Sequence, residues 1–323
     1  MLFSVVVPLH NCQKELPDCI LSVLRQSFRD LELILVNAGS RDDTFDCCRR
    51  FANIDSRIRI LQVGDVTAFE AKKEGVERAQ GEYVTVLFPD GTLDENLFSG
   101  INRTLKKGEY DLVAYAKNRV GLPDRPYPFD VVKDRDELRD MLLSVKGINQ
   151  HFVGFFYRRE LYQEAFSYFH EGIRADEDDL LIFASFVRAK GLAFCKEGLY
   201  RYLGKVYFPR PHGWGRVESE EYLFQRLNNV VDDHDCSFAR QNIARHAFLT
   251  TVKELRTEVK EEDEEGFADL ITRLEHSAFF YALKELDENL LDEEERLVLK
   301  AILAKNKRSA YKLLKRAEKK GKK

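Results

Sequence analysis

The chain has 323 residues, 44% of them apolar and 33% charged, with a formal net charge of −4. That length suits about two domains with a sizeable core, and nothing in it approaches the roughly 18 uninterrupted apolar residues of a membrane span. Ten basic residues against Glu318 crowd Lys305–Lys323, leaving the rest strongly acidic, which argues against a nucleic-acid partner held by phosphate neutralisation.

The opening residues 1–8 lack the basic lead and small-residue cleavage site of a signal peptide, so Phe3 to Val7, stopped by Pro8, is expected as a central strand. Glu15 to Gln26 places Leu16, Cys19, Ile20, Val23 and Leu24 on one helical face. Leu31 to Val36 is a second buried strand, and a helix starts near Asp42, where acidic residues suit the positive end of a helix dipole. Strand Ile58–Val63, helix Ala68–Ala79 and strand Tyr83–Leu87 follow, the last introduced by Gly81 and closed by Phe88-Pro89-Asp90-Gly91. Leu97 to Leu105 is expected helical and Asp111 to Tyr115 extended. Strands alternating with helices of this length predict right-handed crossovers and an α/β fold with a mostly parallel sheet.

Three prolines and a glycine make Val120 to Val132 an irregular connection. After it come a helix at Arg135–Leu143, the segment Phe152–Tyr157, a helix at Leu161–Tyr168, a helix at Glu177–Lys190, and an extended run or strand pair at Ala193–Tyr202. Pro209, Pro211, Gly213 and Gly215 mark a boundary, beyond which period 3.6 persists in Glu220–Val231, Arg240–Val259, Phe267–Leu286 and Glu293–Glu318. The expected division is an α/β domain over 1–208 and a helical region with a basic tail over 209–323. Six cysteines without Cys-x-x-Cys spacing support neither zinc nor a redox pair, and they suit buried thiols in a reducing cytosol.

These motifs carry a likeness. Ser4-Val5-Val6-Val7-Pro8-Leu9-His10-Asn11, Ser22-Val23-Leu24-Arg25-Gln26-Ser27-Phe28, Leu33-Ile34-Leu35-Val36-Asn37-Ala38-Gly39-Ser40, Gly81-Glu82-Tyr83, Phe156-Tyr157-Arg158-Arg159-Glu160-Leu161 and Glu177-Asp178-Asp179-Leu180-Leu181 stand in order. From residue 3 to about 203 the chain resembles family 2 glycosyltransferases, which have the Rossmann-like GT-A fold. The resemblance implies a nucleotide-sugar donor, transfer to a glycan or lipid-linked acceptor in surface polysaccharide synthesis, and inversion at the transferred sugar. It places the donor among Pro8, His10, Asn11, Ala38, Lys72 and Asp90. Asp90 is the carboxylate toward Mg²⁺ or Mn²⁺, Asp179 the base with Asp178 in the family's glutamate place, and Arg158 and Trp214 are acceptor-side candidates.

Three departures from the family pattern stand out. Ala38 replaces the base-contacting aspartate, Phe88 replaces the first aspartate of Asp-x-Asp, and Lys72-Lys73 stands where an Arg-Asn pair is usual. With one carboxylate gone, metal-independent transfer is a second expectation, with His10 and Lys72 as compensating groups. A catalytically inactive relative that binds a partner glycosyltransferase or a glycan is the rival reading. Taken without the resemblance, Asp90-Gly91 is equally a plain turn, the Asp178-Asp179 run an acidic helix start, and Trp214 an anchor for the following helices. The expected location is cytoplasmic, with the basic terminus at anionic lipid on the inner membrane face.

Overall fold

The computed structural model describes residues 1–120, 131–132, 153–169, 177–205, 207–208, 214–233, 240–261 and 263–320. The chain forms two compact units, Met1–Phe169 with Leu181–Pro209, and His170–Leu180 with Arg210–Lys323.

The first unit is built on a nine-stranded mixed sheet. Its strands are β1 (Phe3–Leu9), β2 (Leu31–Asn37), β3 (Ile58–Gln62), β4 (Tyr83–Val86), β5 (Gly91–Leu93), β6 (Leu112–Arg119), β7 (Val131–Val132), β8 (Val153–Arg158) and β9 (Leu192–Tyr202). The order is β3-β2-β1-β4-β8-β6-β9-β5, with β7 on β9. Strands β3, β2, β1 and β4 are parallel neighbours, and β6 runs parallel to β9. Strand β8 is antiparallel to β4 and β6. Most paired positions are parallel, as the alternation of strands and helices requires.

Strand β1 has every residue buried, the pattern of a strand covered on both faces, and its valines suit that pleated interior. Helices α1 (Leu16–Leu24), α2 (Thr44–Ala52), α3 (Ala68–Glu77), α4 (Leu97–Leu105), α5 (Arg159–Ala165) and α6 (Glu177–Arg188) accompany the sheet. Helix α1 buries Leu16, Cys19, Ile20 and Val23, the stripe read from the sequence. Helix α3 begins where Thr67 and Glu70 satisfy each other's backbone amides in a capping box. Edge-on contacts of Phe3 with Phe98 and Phe156, at 5.4 and 5.0 Å, tie β1 to α4 and β8.

At the amino ends of the strands, Glu32 is 1% exposed and still satisfied. It accepts from Ser4 Oγ at 2.6 Å, the Gln80 amide at 2.6 Å and Arg59 Nη1 at 2.7 Å. A buried carboxylate is tolerated only with this kind of pairing.

The second unit holds α7 (Trp214–Asp233), α8 (Arg240–Lys260), α9 (Glu264–Glu275), α10 (Ala278–Lys284), α11 (Glu293–Leu303) and α12 (Lys307–Lys320). Phe248, Leu255, Phe267, Ile271, Phe279, Leu283, Ile302 and Leu314 are among its core residues. Two helices expected as single pieces are broken. Ser277 Oγ accepts from the Phe280 amide at 3.3 Å and starts α10 afresh. Lys305, at φ 54, ends α11, with the Asn306 amide reaching back to Ala301 O at 2.9 Å. Helix α7 begins six residues before its expected start, at Trp214. The expected helix at 135–143 lies outside the described residues.

Replacing Glu32 with Ala removes the acceptor of the buried Ser4 hydroxyl and of the Gln80 amide, and the ion pair of Arg59. It should lower stability by about 3 kcal/mol, measured by urea unfolding; a loss below about 1 kcal/mol would contradict the importance of this pairing.

Candidate functional site

The site is set by what happens after β1, β2 and β4. Strand β1 runs to Leu9, whose carbonyl accepts from the Ala38 amide at 2.9 Å, so the two strand ends finish side by side. Pro8 sits opposite Val36 within this pairing. Asn11 takes φ 48, a left-handed conformation that asparagine tolerates. Its amide donates to Ser40 Oγ at 3.1 Å and its Oδ1 accepts from the Arg41 amide at 2.8 Å. Gln13 and Asp42 extend the lacing, since the Gln13 amide donates to Asp42 Oδ2 at 3.2 Å and the Asp43 amide to Gln13 Oε1 at 2.9 Å. Gly39, at φ 66, makes the turn in a conformation that suits glycine, and a β-carbon there would sit tightly, 3.0 to 3.2 Å from the Gly64 and Asp65 backbone.

Ala38 is fully buried, and its carbonyl lies 2.6 Å from His10 Nδ1. A carbonyl only accepts, so Nδ1 carries the proton and Nε2 is the ring nitrogen left without a hydrogen-bond partner among the described residues. The Phe208 ring lies 5.6 Å from the imidazole.

The turn after β4 is held from a distance. Tyr200, buried on β9, takes the Phe88 amide on its hydroxyl at 2.9 Å and donates to Phe88 O at 3.3 Å. Cys19 Sγ also reaches Phe88 O, at 3.6 Å. A β-carbon on Gly91 would stand 2.1 Å from the Tyr200 hydroxyl, so only glycine fits this approach. The Phe88 side chain tilts toward Tyr202, ring centres 6.4 Å apart.

Held this way, Asp90 is 8% exposed. Its Oδ2 accepts from the Lys205 amide at 2.9 Å, while Oδ1 is buried without a hydrogen-bond partner among the described residues. Residues 204, 205, 207 and 208 belong to a strap entered at Gly204, φ 76. Lys205 Nζ pairs with Glu15, and the Tyr207 hydroxyl is buried and unpartnered among the described residues. Burial pushes the Cys12 thiol up to about 12, and that of Cys19 further, so both stay neutral beneath the site.

The structure thus brings Pro8, His10, Asn11, Ala38 and Asp90 to the carboxyl ends of parallel strands, where ligands of open α/β sheets bind. Lys72 is 3% exposed on α3. Arg158 stands at the opposite, amino end of β4, opposite Tyr83 in the strand pairing. There its guanidinium donates to Asp111 at 2.9 Å, Glu82 at 3.0 Å and the Tyr83 hydroxyl at 2.9 Å. Asp178 and Asp179 occupy the first turn of α6, and Trp214 the first position of α7; their side chains lie outside the described residues. Sequence reading passed over Glu15, Tyr200, Lys205, Tyr207 and Phe208. The one local signal was Gly204, at the end of the β9 run.

Asp90 Oδ1 is one open carboxylate oxygen, and no cluster of three or more His, Cys, Asp or Glu stands among the described residues. This donor set fits a hard cation whose remaining ligands are phosphate and water oxygens, and it does not fit an all-protein cage.

Asp42 gives the turns a pH dependence. Partial burial opposes its ionisation, but hydrogen bonds from Thr44 and from the Thr44 and Gln13 amides outweigh it and hold the carboxyl below its usual range. A depressed carboxyl stabilises the fold above its unfolded pKa and stops doing so as pH falls through the folded value. Asp42→Asn should therefore cost about 1 kcal/mol at pH 7, with the gap to the parent closing as pH falls below about 4. Urea midpoints across that range check it, and a gap that widens toward acid would contradict it.

Comparison with known proteins gives this geometry its context. The model of glycosyl transferase family 2 matches residues 4–166. An uncharacterized glycosyltransferase EpsJ of Bacillus subtilis is 27% identical over 208 residues, which is 62% of this chain and 60% of that protein. The glycosyltransferase GlyG of Streptococcus pneumoniae is 35% identical over 113 residues, 35% of this chain and 38% of that one. The chain thus spans about 60% or less of the length of these relatives. The crystal structure of S. aureus TarS 1–349 in complex with UDP-GlcNAc superposes with a TM-score of 0.74, covering 99% of this chain and 92% of that one, at 15% identity. That is a likeness of fold. Since the family model spans half of the sequence and covers β1, β2 and β4, the chain belongs to glycosyl transferase family 2.

Proposed function

We propose that the chain transfers a sugar from a nucleoside diphosphate donor, a UDP-sugar in the first instance, to a hydroxyl of a cell-surface or lipid-linked glycan. The observation that carries this reading is Asp90 at the carboxyl end of β4, with one oxygen tied to the Lys205 amide and the other buried without a hydrogen-bond partner among the described residues. The relatives' names and the UDP and UDP-GlcNAc complexes of TarS support the donor class.

In the proposed reaction an acceptor hydroxyl attacks the anomeric carbon from the face opposite the diphosphate. The new C–O bond forms as the old one breaks, which inverts the centre. The hydroxyl proton passes to Asp179, with Asp178 as the neighbouring candidate; the resemblance of Glu177–Leu181 is the support for both. A bound Mg²⁺ or Mn²⁺ would neutralise charge on the leaving diphosphate, and Asp90 Oδ1 is the residue atom to hold it. His10, fixed by the Ala38 carbonyl, is the proposed polar group on the nucleotide side where an aspartate is usual. The location proposed is cytoplasmic.

Helix α12 adds a proposed docking face. Arg308, Lys312 and Arg316 are exposed at four-residue spacing while Ala310, Tyr311 and Leu314 are buried. Such a stripe suits an anionic lipid surface, where each basic residue adds about 1 kcal/mol. Co-sedimentation with phosphatidylserine vesicles but not phosphatidylcholine vesicles is expected, and it should be lost when all three become Glu. Equal recovery with both vesicle types would remove this role.

Ala38 and Phe88 motivate one rival, an inactive subunit that binds a glycan or a partner transferase. Release of UDP from a UDP-sugar by the isolated chain distinguishes the readings. We expect slow hydrolysis that falls at least a hundredfold in Asp90→Ala and in Asp179→Ala. No release, together with no calorimetric binding of UDP, GDP or their sugars at millimolar concentration with Mn²⁺, would favour the rival.

A further inference from the structure

We propose that Tyr200 is a positioning residue of the transfer reaction: its hydroxyl, acting through the main chain of Phe88, holds the turn that sets Asp90 in place. The inference rests on the transferase reading above and adds a residue that acts on Asp90 only through another.

Phe88-Pro89-Asp90-Gly91 is a tight turn closed by the Gly91 amide on Phe88 O at 3.1 Å, with Asp90 third in it. A bond within the turn fixes its shape and leaves its placement to contacts from outside. Those contacts converge on Phe88. The Tyr200 hydroxyl accepts from the Phe88 amide at 2.9 Å and donates to Phe88 O at 3.3 Å, so one oxygen answers both backbone groups of one residue. The Cys19 thiol adds a weaker contact to the same carbonyl at 3.6 Å.

Three observations separate Tyr200 from a core tyrosine that has merely found a partner. It is 1% exposed, and burial pushes its ionisation well above the ordinary tyrosine range, so the hydroxyl keeps the proton that Phe88 O receives. The turn is fitted to the phenol, since a β-carbon on Gly91 would stand 2.1 Å from its oxygen. The same strand also fixes the far side of Asp90. Gly91 pairs with Tyr202, and Lys205, just beyond β9, donates its amide to Asp90 Oδ2 at 2.9 Å. Releasing Phe88 from Tyr200 would therefore move Asp90 relative to the amide that orients it. Tyr83, 3% exposed at the amino end of β4, gives a matched comparison: its hydroxyl also closes a backbone carbonyl, Tyr110 O at 2.7 Å, far from the turn.

Hydrogen exchange of the full chain reads the contact without any ligand. In the parent, the Phe88 and Lys205 amides should open with one free energy as urea is added, because one clamp holds both. In Tyr200→Phe the Lys205 amide should exchange about tenfold faster, beyond any change at the β1 amides, which report the fold as a whole. Tyr83→Phe should move the Lys205 and β1 amides by one common factor. Calorimetric titration of UDP at stepped Mn²⁺ then reads the consequence at Asp90. Tyr200→Phe should need about tenfold more Mn²⁺ for the same UDP affinity and regain the parent's affinity at saturation. A turn in place only part of the time lowers apparent affinity by that fraction. Tyr83→Phe should stay within about twofold of the parent.

Separate openings of Phe88 and Lys205 in the parent overturn the proposal, a result that needs no variant to fold. A Lys205 amide as protected in Tyr200→Phe as in the parent also overturns it. So does a common shift of the Lys205 and β1 amides in that variant, the mark of lost stability alone, or an unchanged Mn²⁺ requirement. A parent with the joint opening that binds no UDP at any Mn²⁺ concentration overturns the transferase reading and leaves the clamp standing.

Discussion

The site depends on a single buried hydroxyl. Tyr200 closes both backbone groups of Phe88 with its one oxygen, and this diverts the chain from the line of β4. The diversion has consequences on both sides of the clamp. Ahead of it, Asp90 leaves the sheet and is buried, bonded to the Lys205 amide. Behind it, Gly91–Leu93 is delivered to β9 and pairs antiparallel with Tyr200–Tyr202. The β-carbon missing at Gly91 is what lets the phenol come so close. The position of the turn is therefore tied to packing on a strand more than one hundred residues later.

The other wall is stiff for a different reason. The turns after β1 and β2 exchange hydrogen bonds through Asn11, Gln13, Ser40 and Asp42, so neither loop can move without stranding donors of the other. Groups held in this way need little reorganisation when a ligand arrives, which is how a polar site gains from pre-organisation. The two unusual residues fit into that frame with apolar side chains. Ala38 contributes its carbonyl, which orients His10, and Phe88 contributes its backbone, which orients Asp90. The polar contacts at these turns thus come from main-chain groups, the Ala38 carbonyl and the Lys205 amide.

Electrostatically, the two ends of the sheet divide labour. At the amino ends, Glu32 with Arg59, and Arg158 with Asp111 and Glu82, are closed sets in which every charge is answered. At the carboxyl ends, Asp90 keeps an oxygen in reserve. A buried carboxylate oxygen without a partner is rare in a folded chain.

What the sequence by itself determined is the order of strands and helices through β4, the burial of β1 and β2, and the place of Asp90 at a strand end; the short strand Gly91–Leu93 escaped it. All of these follow from side-chain period and from punctuation by Pro and Gly within a few residues. The helix breaks at Ser277 and Lys305 escaped that reading, because a cap or a left-handed residue interrupts a helix without disturbing its apolar period. Only the tertiary structure decided that Arg158 serves the amino end of β4 and that Lys205 ties one oxygen of Asp90 and leaves the other open. The bond from Lys205 to Asp90 joins residues 115 apart, and no local pattern encodes a contact that the folding of the whole sheet must first bring within reach.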